Sequence, residues 1–398
     1  MQLGWIDFSK SDREKVLDVM HLLQEQGAVD ELGIGVVRDA FANRLFPGTS
    51  TVQTRAKYFL IVPYVLKEAG EGLYGDDVNK IIKRIDDEER DCGMRLLEGG
   101  KEGVIGQLNL PNSWVVRTPS NIYWNGIKSF EIFRDQDLSI REYVKESIML
   151  RSLRNKANIG NRSEENAENE QDDKDAGDLT KVQFWDLPES YKPGWRDSLK
   201  MALLPEEGEF LRNKILSTQK DTLLGYILKN HVAVKDLTSF AEISELVHGD
   251  VSDEIRELLD LGNAFNNLVY LGRIRYNLIL SGGNNEEAVD EWDKYLPEIK
   301  TMANVDLDRI FTALRINNPR AKSFLKDLKS ALINGNYKLA DEVIVKREVA
   351  LKGPTRAKLN HREKYKDDEW VGGYWLDYRF LPAKRIIADI YSSEGIDA

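Results

Sequence analysis

Between Asn161 and Asp178 the chain reads NRSEENAENEQDDKDAGD, a run with no aromatic side chain and no aliphatic one larger than alanine. Such a run cannot offset the entropy of ordering its backbone by burying surface, so no core can be built through it. It therefore divides the chain into an ordered part over 1–154, an acidic flexible linker over 155–181, and a second ordered part over 182–398. Repulsion among like charges keeps such a linker extended, and a solvated spacer is its plain reading; a tail for a basic partner is the other. The length of 398 residues agrees with two domains, because a single core rarely keeps growing to that size.

Apolar spacing on both sides of the run is helical, which predicts a mainly α fold. In the first part the pattern gives helices over 9–26, 35–45, 51–67, 76–97 and 139–153. The third, TVQTRAKYFLIVPYVLKEA, is apolar nearly all round in its second half and so reads as buried, with Pro63 inside it. Residues 104–133, with VIGQLNL, SWVV and IYW between Gly, Pro and Asn, suit a few short strands or irregular loops. Past the aromatic, turn-rich FWDLPESYKPGW the second part is close to all-helical, with helices expected at 205–216, 222–230, 240–247, 251–280, 286–295, 306–315, 319–333 and 336–347. No fixed-period repeat is present.

Composition narrows the class. The single cysteine, Cys92, excludes an intramolecular disulfide and a multi-cysteine metal site, and a reducing compartment fits. The opening MQLGWIDFSKSDREK lacks a basic segment followed by an apolar run, so no secretory signal is read there. The longest apolar stretch, 58–66, is interrupted by Pro63 and too short to span a bilayer. The expectation is a cytoplasmic protein with no membrane partner. Net charge is −11, so any nucleic-acid contact must come from local basic patches.

Two such patches stand out. The helices at 35–45 and 51–67, joined by FPGTS, suit a helix-turn-helix with Thr51, Gln53, Thr54, Arg55 and Lys57 near the start of the second helix, residue types that reach phosphates and base edges. Gly48, Thr49 and Ser50 would precede that helix's N-terminus, where free amides favour a phosphate. A helical hairpin with a capped start, locked by Val52, Ala56, Phe59 and Leu60, explains the same residues without a ligand. The second patch, VIVKREVALKGPTRAKLNHREKYK over 343–366, holds eight Lys or Arg against two Glu, including Lys346, Arg347, Lys352, Arg356, Lys358 and Arg362. With Tyr365, Trp370, Tyr374 and Trp375 following, it suits a phosphate backbone with stacked bases; a solvated helix face or a contact for the acidic linker suits it equally. On the helix containing LVYLGRIRYNLIL, Arg273 shares a face with Tyr270, and pairing of Arg273 or Arg275 with a carboxylate is the expectation.

Catalytic patterns are scarce. His21, His231, His248 and His361 are isolated, no phosphate-loop or nucleophile-elbow motif occurs, and the Gly pair in Leu32-Gly33-Ile34-Gly35 reads as a turn. Cys92 lies in the acidic ERDCGM, which raises its pKa rather than activating it. Asp341, Glu342 and Lys346 are a loose candidate for a metal-dependent nuclease. No cofactor and no metal is predicted.

The text GWIDFS, then ELGIGVVRDAFANRLFPGTSTVQTRAKYFLIVPY, resembles an uncharacterised bacterial family, the domain-of-unknown-function family six-three-six-one, and the tail WVGGYWLDYRF is similar to that family's ending. The resemblance extends over nearly the whole chain and supplies no catalytic residues. It implies a setting in mobile or anti-phage defence gene clusters that also encode helicases and nucleases. The combined expectation is a non-enzymatic accessory subunit of a multi-protein system that binds DNA or RNA through the two basic patches. The alternative is a protein-interaction scaffold whose surfaces are the aromatic clusters FWDLPESYKPGW and WVGGYWLDYRF.

Overall fold

The computed structural model describes residues 30–163 and 182–397. The chain is mainly helical and divides into two compact units, each discontinuous in sequence. One unit joins residues 30–44 to Ser244–Tyr378; the other joins Leu45–Ile243 to residues 379–397. The charge-rich run thus does not mark a simple first half and second half. Aromatic packing explains this: Phe41, early in the chain, has its ring centroid 5.8 Å from that of Phe265 and 5.1 Å from that of Tyr378.

In the first unit, α1 (Gly35–Leu45) begins after Asp30, whose carboxylate accepts from the amides of Leu32 and Ile34 at 3.1 and 2.8 Å. The second unit follows with α2 (Tyr58–Gly70), α3 (Val78–Glu98), α4 (Pro119–Ser129), α5 (Ile140–Ser163), α6 (Pro205–Gln219) and α7 (Leu223–Asn230). Helix α8 (Phe240–Val247) leads back to the first unit, which continues with α9 (Asp253–Leu280), α10 (Glu286–Tyr295), α11 (Ile299–Met302), α12 (Leu307–Ala313), α13 (Pro319–Ile333) and α14 (Tyr337–Lys352). Helix α15 (Phe380–Ser393) returns the chain to the second unit.

Local chemistry sets many of these starts. Asp77, Thr222, Ser252, Asn285, Asn318 and Asn336 each accept a first-turn amide with the side chain, satisfying donors that a helix leaves unpaired. The long α9 is the spine of the first unit, with α10 and α14 packed against it and α13 against α14. In the second unit α2 is buried continuously from Tyr58 to Leu66, as its all-round apolar pattern predicts, and packs on α3, α4 and α5. Helices α7 and α15 pack on α6.

Two expectations change and an open one is decided. Of the two readings of 104–133, short strands or irregular loops, the stretch before α4 follows the second, with turns, and among the described residues the β-structure is one isolated antiparallel bridge, Phe133 to Trp185. Here Pro119 at the first helical position favours helix after Thr118, and the apolar side chains serve packing rather than a ladder. The helix expected to open at 51 opens at Tyr58. Helix α5 continues to Ser163, into the segment read as linker. The remainder of that segment, 164–181, and the helix expected at 9–26 lie outside the described residues.

Close approach of α4 to the turn after Phe46 yields a sharp prediction. A Cβ on Gly126 would sit 2.3 Å from the Gly48 carbonyl oxygen and 2.7 Å from the Phe59 ring. Gly126→Ala is expected to destabilise the second unit by about 2–3 kcal/mol through overpacking, measured as a lowered urea midpoint with an unchanged slope.

Candidate functional site

The first predicted patch is absorbed into the second unit's own packing. Because α2 opens at Tyr58, Thr49, Ser50, Thr51, Gln53, Thr54, Arg55 and Lys57 lie in the segment before it, not on its first turns. Most of them have internal partners through backbone or side chain. The Tyr123 hydroxyl accepts from the Thr54 and Arg55 amides at 2.8 and 3.1 Å and donates to the Arg55 carbonyl at 2.9 Å. The Asp389 carboxylate accepts from the Ala56 amide at 2.8 Å and clasps the Arg55 guanidinium at 2.7–3.0 Å.

Nearby, the Thr49 hydroxyl donates to the Phe46 carbonyl at 2.6 Å, and the Ser50 amide donates to the buried Gln53 side chain at 3.0 Å. Thr54 donates to the Gly103 carbonyl at 2.7 Å, and Lys57 is buried against Glu207. Thr51 alone of these seven is exposed. The anticipated phosphate cradle is therefore not assembled: the amides of Thr49 and Ser50 are already bonded, and neither heads a helix.

The second patch lies in the first unit, and its charge is partly spent internally. Arg347 is buried, donates to the carbonyls of Leu32 and Gly33 at 3.1 and 2.8 Å, and stacks over Phe324. Lys352 and Lys358 converge on Glu31 at 3.6 and 3.0 Å, and Lys352 also pairs with the fully buried Glu348 at 3.0 Å. Glu348 accepts besides from the Tyr276 hydroxyl and the Leu359 amide. Lys346, Arg356 and Arg362 remain exposed, with Arg356 and Arg362 also donating to the carbonyls of Lys352 and Leu359.

The enzymatic candidates have structural uses. Asp341 is clasped by Arg275 at 2.5 and 2.8 Å, and that guanidinium lies over the Trp292 ring at 4.6 Å, so the expected arginine–carboxylate pair is present and occupies the carboxylate offered for a metal. Among the described residues no three His, Cys, Asp or Glu side chains converge to hold a metal ion. Cys92 is buried, and burial foremost, with Glu89 and other acidic neighbours adding, pushes its thiol up to about 12. No described helix is long and apolar enough to cross a membrane.

What the structure does assemble is a platform of rings on α9. Gly262, Asn266, Tyr270, Arg273 and Asn277 recur at intervals of three and four and share one helix face. The loop 370–378 lies along that face. Asn277 grips Val371 at two points, accepting from its amide at 2.7 Å and donating to its carbonyl at 3.1 Å. Asn266 holds Leu376 in the same way, at 2.7 and 2.9 Å. Arg273 donates to the Tyr374 carbonyl, and the Tyr378 hydroxyl donates to the Gly262 carbonyl at 2.8 Å.

Gly372 and Gly373 make this close seating feasible. Gly372 has φ +88°, and a Cβ on Gly373 would come within 3.1–3.3 Å of the Arg273 guanidinium.

The clamps hold four rings nearly parallel. Tyr270 stacks on Trp375 at 3.9 Å and 21°, Trp370 on Tyr374 at 4.8 Å and 8°, and Tyr270 lies 6.3 Å and 25° from Trp370. Tyr295 meets Tyr270 and Trp375 edge-on. Tyr374 and Trp375 remain 47% and 40% exposed, unusual for side chains held this firmly. Carboxylates border the rings: Glu291 accepts from the Tyr270 hydroxyl at 2.6 Å, and Glu287 lies near enough to the Tyr374 hydroxyl to raise its pKa. Partial burial first, then these carboxylates, raise both phenol pKa values, so both rings stay neutral in ordinary buffers.

Sequence spacing displayed the Tyr270–Arg273 face but not its occupant, because the two asparagines bond backbone atoms about a hundred residues away. Asn277→Ala is expected to leave both backbone groups of Val371 without their partner. The cost is about 2–6 kcal/mol, since each of the two orphaned buried polar groups costs roughly 1–3 kcal/mol. Faster hydrogen exchange at Val371, together with a lowered denaturation midpoint, checks it.

Residues 1–155 match the model of the Family of unknown function (DUF6361). The resemblance read in the sequence is thus supported over this stretch, which ends before the tail. Neither a curated protein nor a solved structure matches the chain.

Proposed function

We propose that the chain is a non-enzymatic adaptor, a cytoplasmic subunit that holds a protein partner of the same multi-protein system on the ring platform of α9. One observation carries this reading: large aromatic faces are left open to solvent while their backbone is fixed by two asparagine clamps and an arginine. Preorganised aromatic side chains bury much area at little entropic cost, which is why Tyr and Trp anchor interfaces. The other aromatic cluster is used differently, since Trp185 and Trp195 of FWDLPESYKPGW are buried in the core of the second unit.

Affinity capture with the full chain after nuclease treatment, run beside the Tyr374→Ala/Trp375→Ala variant, tests the reading. A partner retained by the wild type and lost by an equally stable variant supports it. Equal retention by both contradicts it.

Binding to DNA or RNA is a second reading, favoured by the exposure of Lys346, Arg356 and Arg362. It requires salt-sensitive binding to single- or double-stranded DNA or RNA by anisotropy, weakened by Lys346→Ala and Arg362→Ala. No binding at low salt would end it.

A further inference from the structure

We infer that the ring platform takes a basic, arginine-bearing segment of a partner protein; this rests on the adaptor reading and specifies its ligand chemistry. The charge around the rings carries the inference. Helix α10, which borders them, carries five carboxylates against one lysine, and three more acidic residues, Asp367, Asp368 and Glu369, lead into the loop. Glu291 accepts from the hydroxyl of buried Tyr270, on which the exposed Trp375 stacks, and Glu287 lies near the hydroxyl of the exposed Tyr374, which places carboxylates beside both exposed rings.

A phosphate backbone would be repelled here, and a wholly apolar segment would desolvate carboxylates without replacing their hydrogen bonds. A guanidinium satisfies both parts of the surface. Its plane stacks on an aromatic face while its fork donates to a carboxylate, whereas an ammonium has neither planarity nor fork. The same unit already uses this arrangement internally, where the Arg275 guanidinium lies 4.6 Å from the centre of the Trp292 ring and clasps Asp341. The platform presents the aromatic and acidic halves of that arrangement to solvent.

Calorimetric titration of the full chain with a synthetic peptide of alternating arginine and serine, and with its lysine counterpart, tests the inference. The arginine peptide is expected to bind at least tenfold more tightly than the lysine peptide at physiological salt. Trp375→Ala should weaken it at least tenfold, and Glu287→Gln/Glu291→Gln should weaken it several-fold and flatten its salt dependence. Circular dichroism and the denaturation midpoint establish that each variant is folded.

Equal binding of both peptides, or arginine binding unchanged by Trp375→Ala, would mean diffuse charge attraction and would overturn the inference. So would self-association in sedimentation that Trp375→Ala abolishes, because a second copy would then occupy the rings. Absence of peptide binding alongside a partner captured through Tyr374 and Trp375 removes the arginine ligand and leaves the adaptor reading standing. Loss of both results removes both.

Discussion

Lys57→Met is expected to destabilise the second unit by about 3–5 kcal/mol, the range for removing one partner of a buried ion pair. The Lys57 ammonium lies 2.6 and 2.7 Å from the two oxygens of Glu207, and both side chains are almost wholly inaccessible. Without Lys57 the carboxylate keeps its bond from the Leu204 amide, at 2.8 Å, but loses the charge that compensates its desolvation. The penalty thus comes mainly from the stranded anion, not from the absent attraction. Lys57→Met/Glu207→Gln keeps an acceptor for Leu204 and removes the charge, so it should recover most of the loss. Urea denaturation of the two variants decides the point; a double variant as unstable as Lys57→Met would locate the cost in packing instead.

Glu89→Gln is expected to stabilise the protein in mildly alkaline solution and to leave it unchanged in acid. Glu89 is buried on α3, one carboxylate oxygen lacks a hydrogen-bond partner, and the other accepts from Ser120 at 3.3 Å. Burial, seconded by the charge of Asp86 one turn earlier and opposed by hydrogen bonds from Ser120 and Thr118, pushes its pKa from 4.5 to about 8. Between those values the folded chain retains a proton that the unfolded chain has released. Stability therefore falls as pH rises through that window and levels off above it. The cost at the plateau is on the order of 5 kcal/mol. Other titrating groups act alike in both proteins, so the difference between the two stability–pH curves isolates Glu89. It should be near zero below about pH 4, grow between the two pKa values and be largest above about pH 8, and parallel curves would contradict the assignment.

Helices with local starts were legible in the sequence. Asn285 and Asn318 stand just before the expected starts and cap them, and α8, α10 and α13 begin and end where apolar spacing says they should. Residues 49–57 misled because Thr49, Ser50 and Thr51 are good capping types, whereas Tyr123 and Asp389, far along the chain, take the amides of the segment that follows. Helix α15 was missed; Arg379 before it adopts φ +68° and offers no side-chain cap.

The site was legible only in halves. Tyr270 and Arg273 showed a common face, and WVGGYWLDYRF showed an aromatic tail. Nothing local says that Asn266 and Asn277 seat that tail on that face, or that Glu31 and Glu348 neutralise Lys352 and Lys358.

Hydrogen–deuterium exchange of the full chain, with and without a captured partner, tests most directly whether the rings are the docking surface. Protection on binding is predicted over 286–295 and 367–376, with the remaining helices unchanged. Protection confined to 49–57 or 343–366, with the ring-bearing loop exchanging as freely as before, would contradict the adaptor reading and return the function to the basic segments.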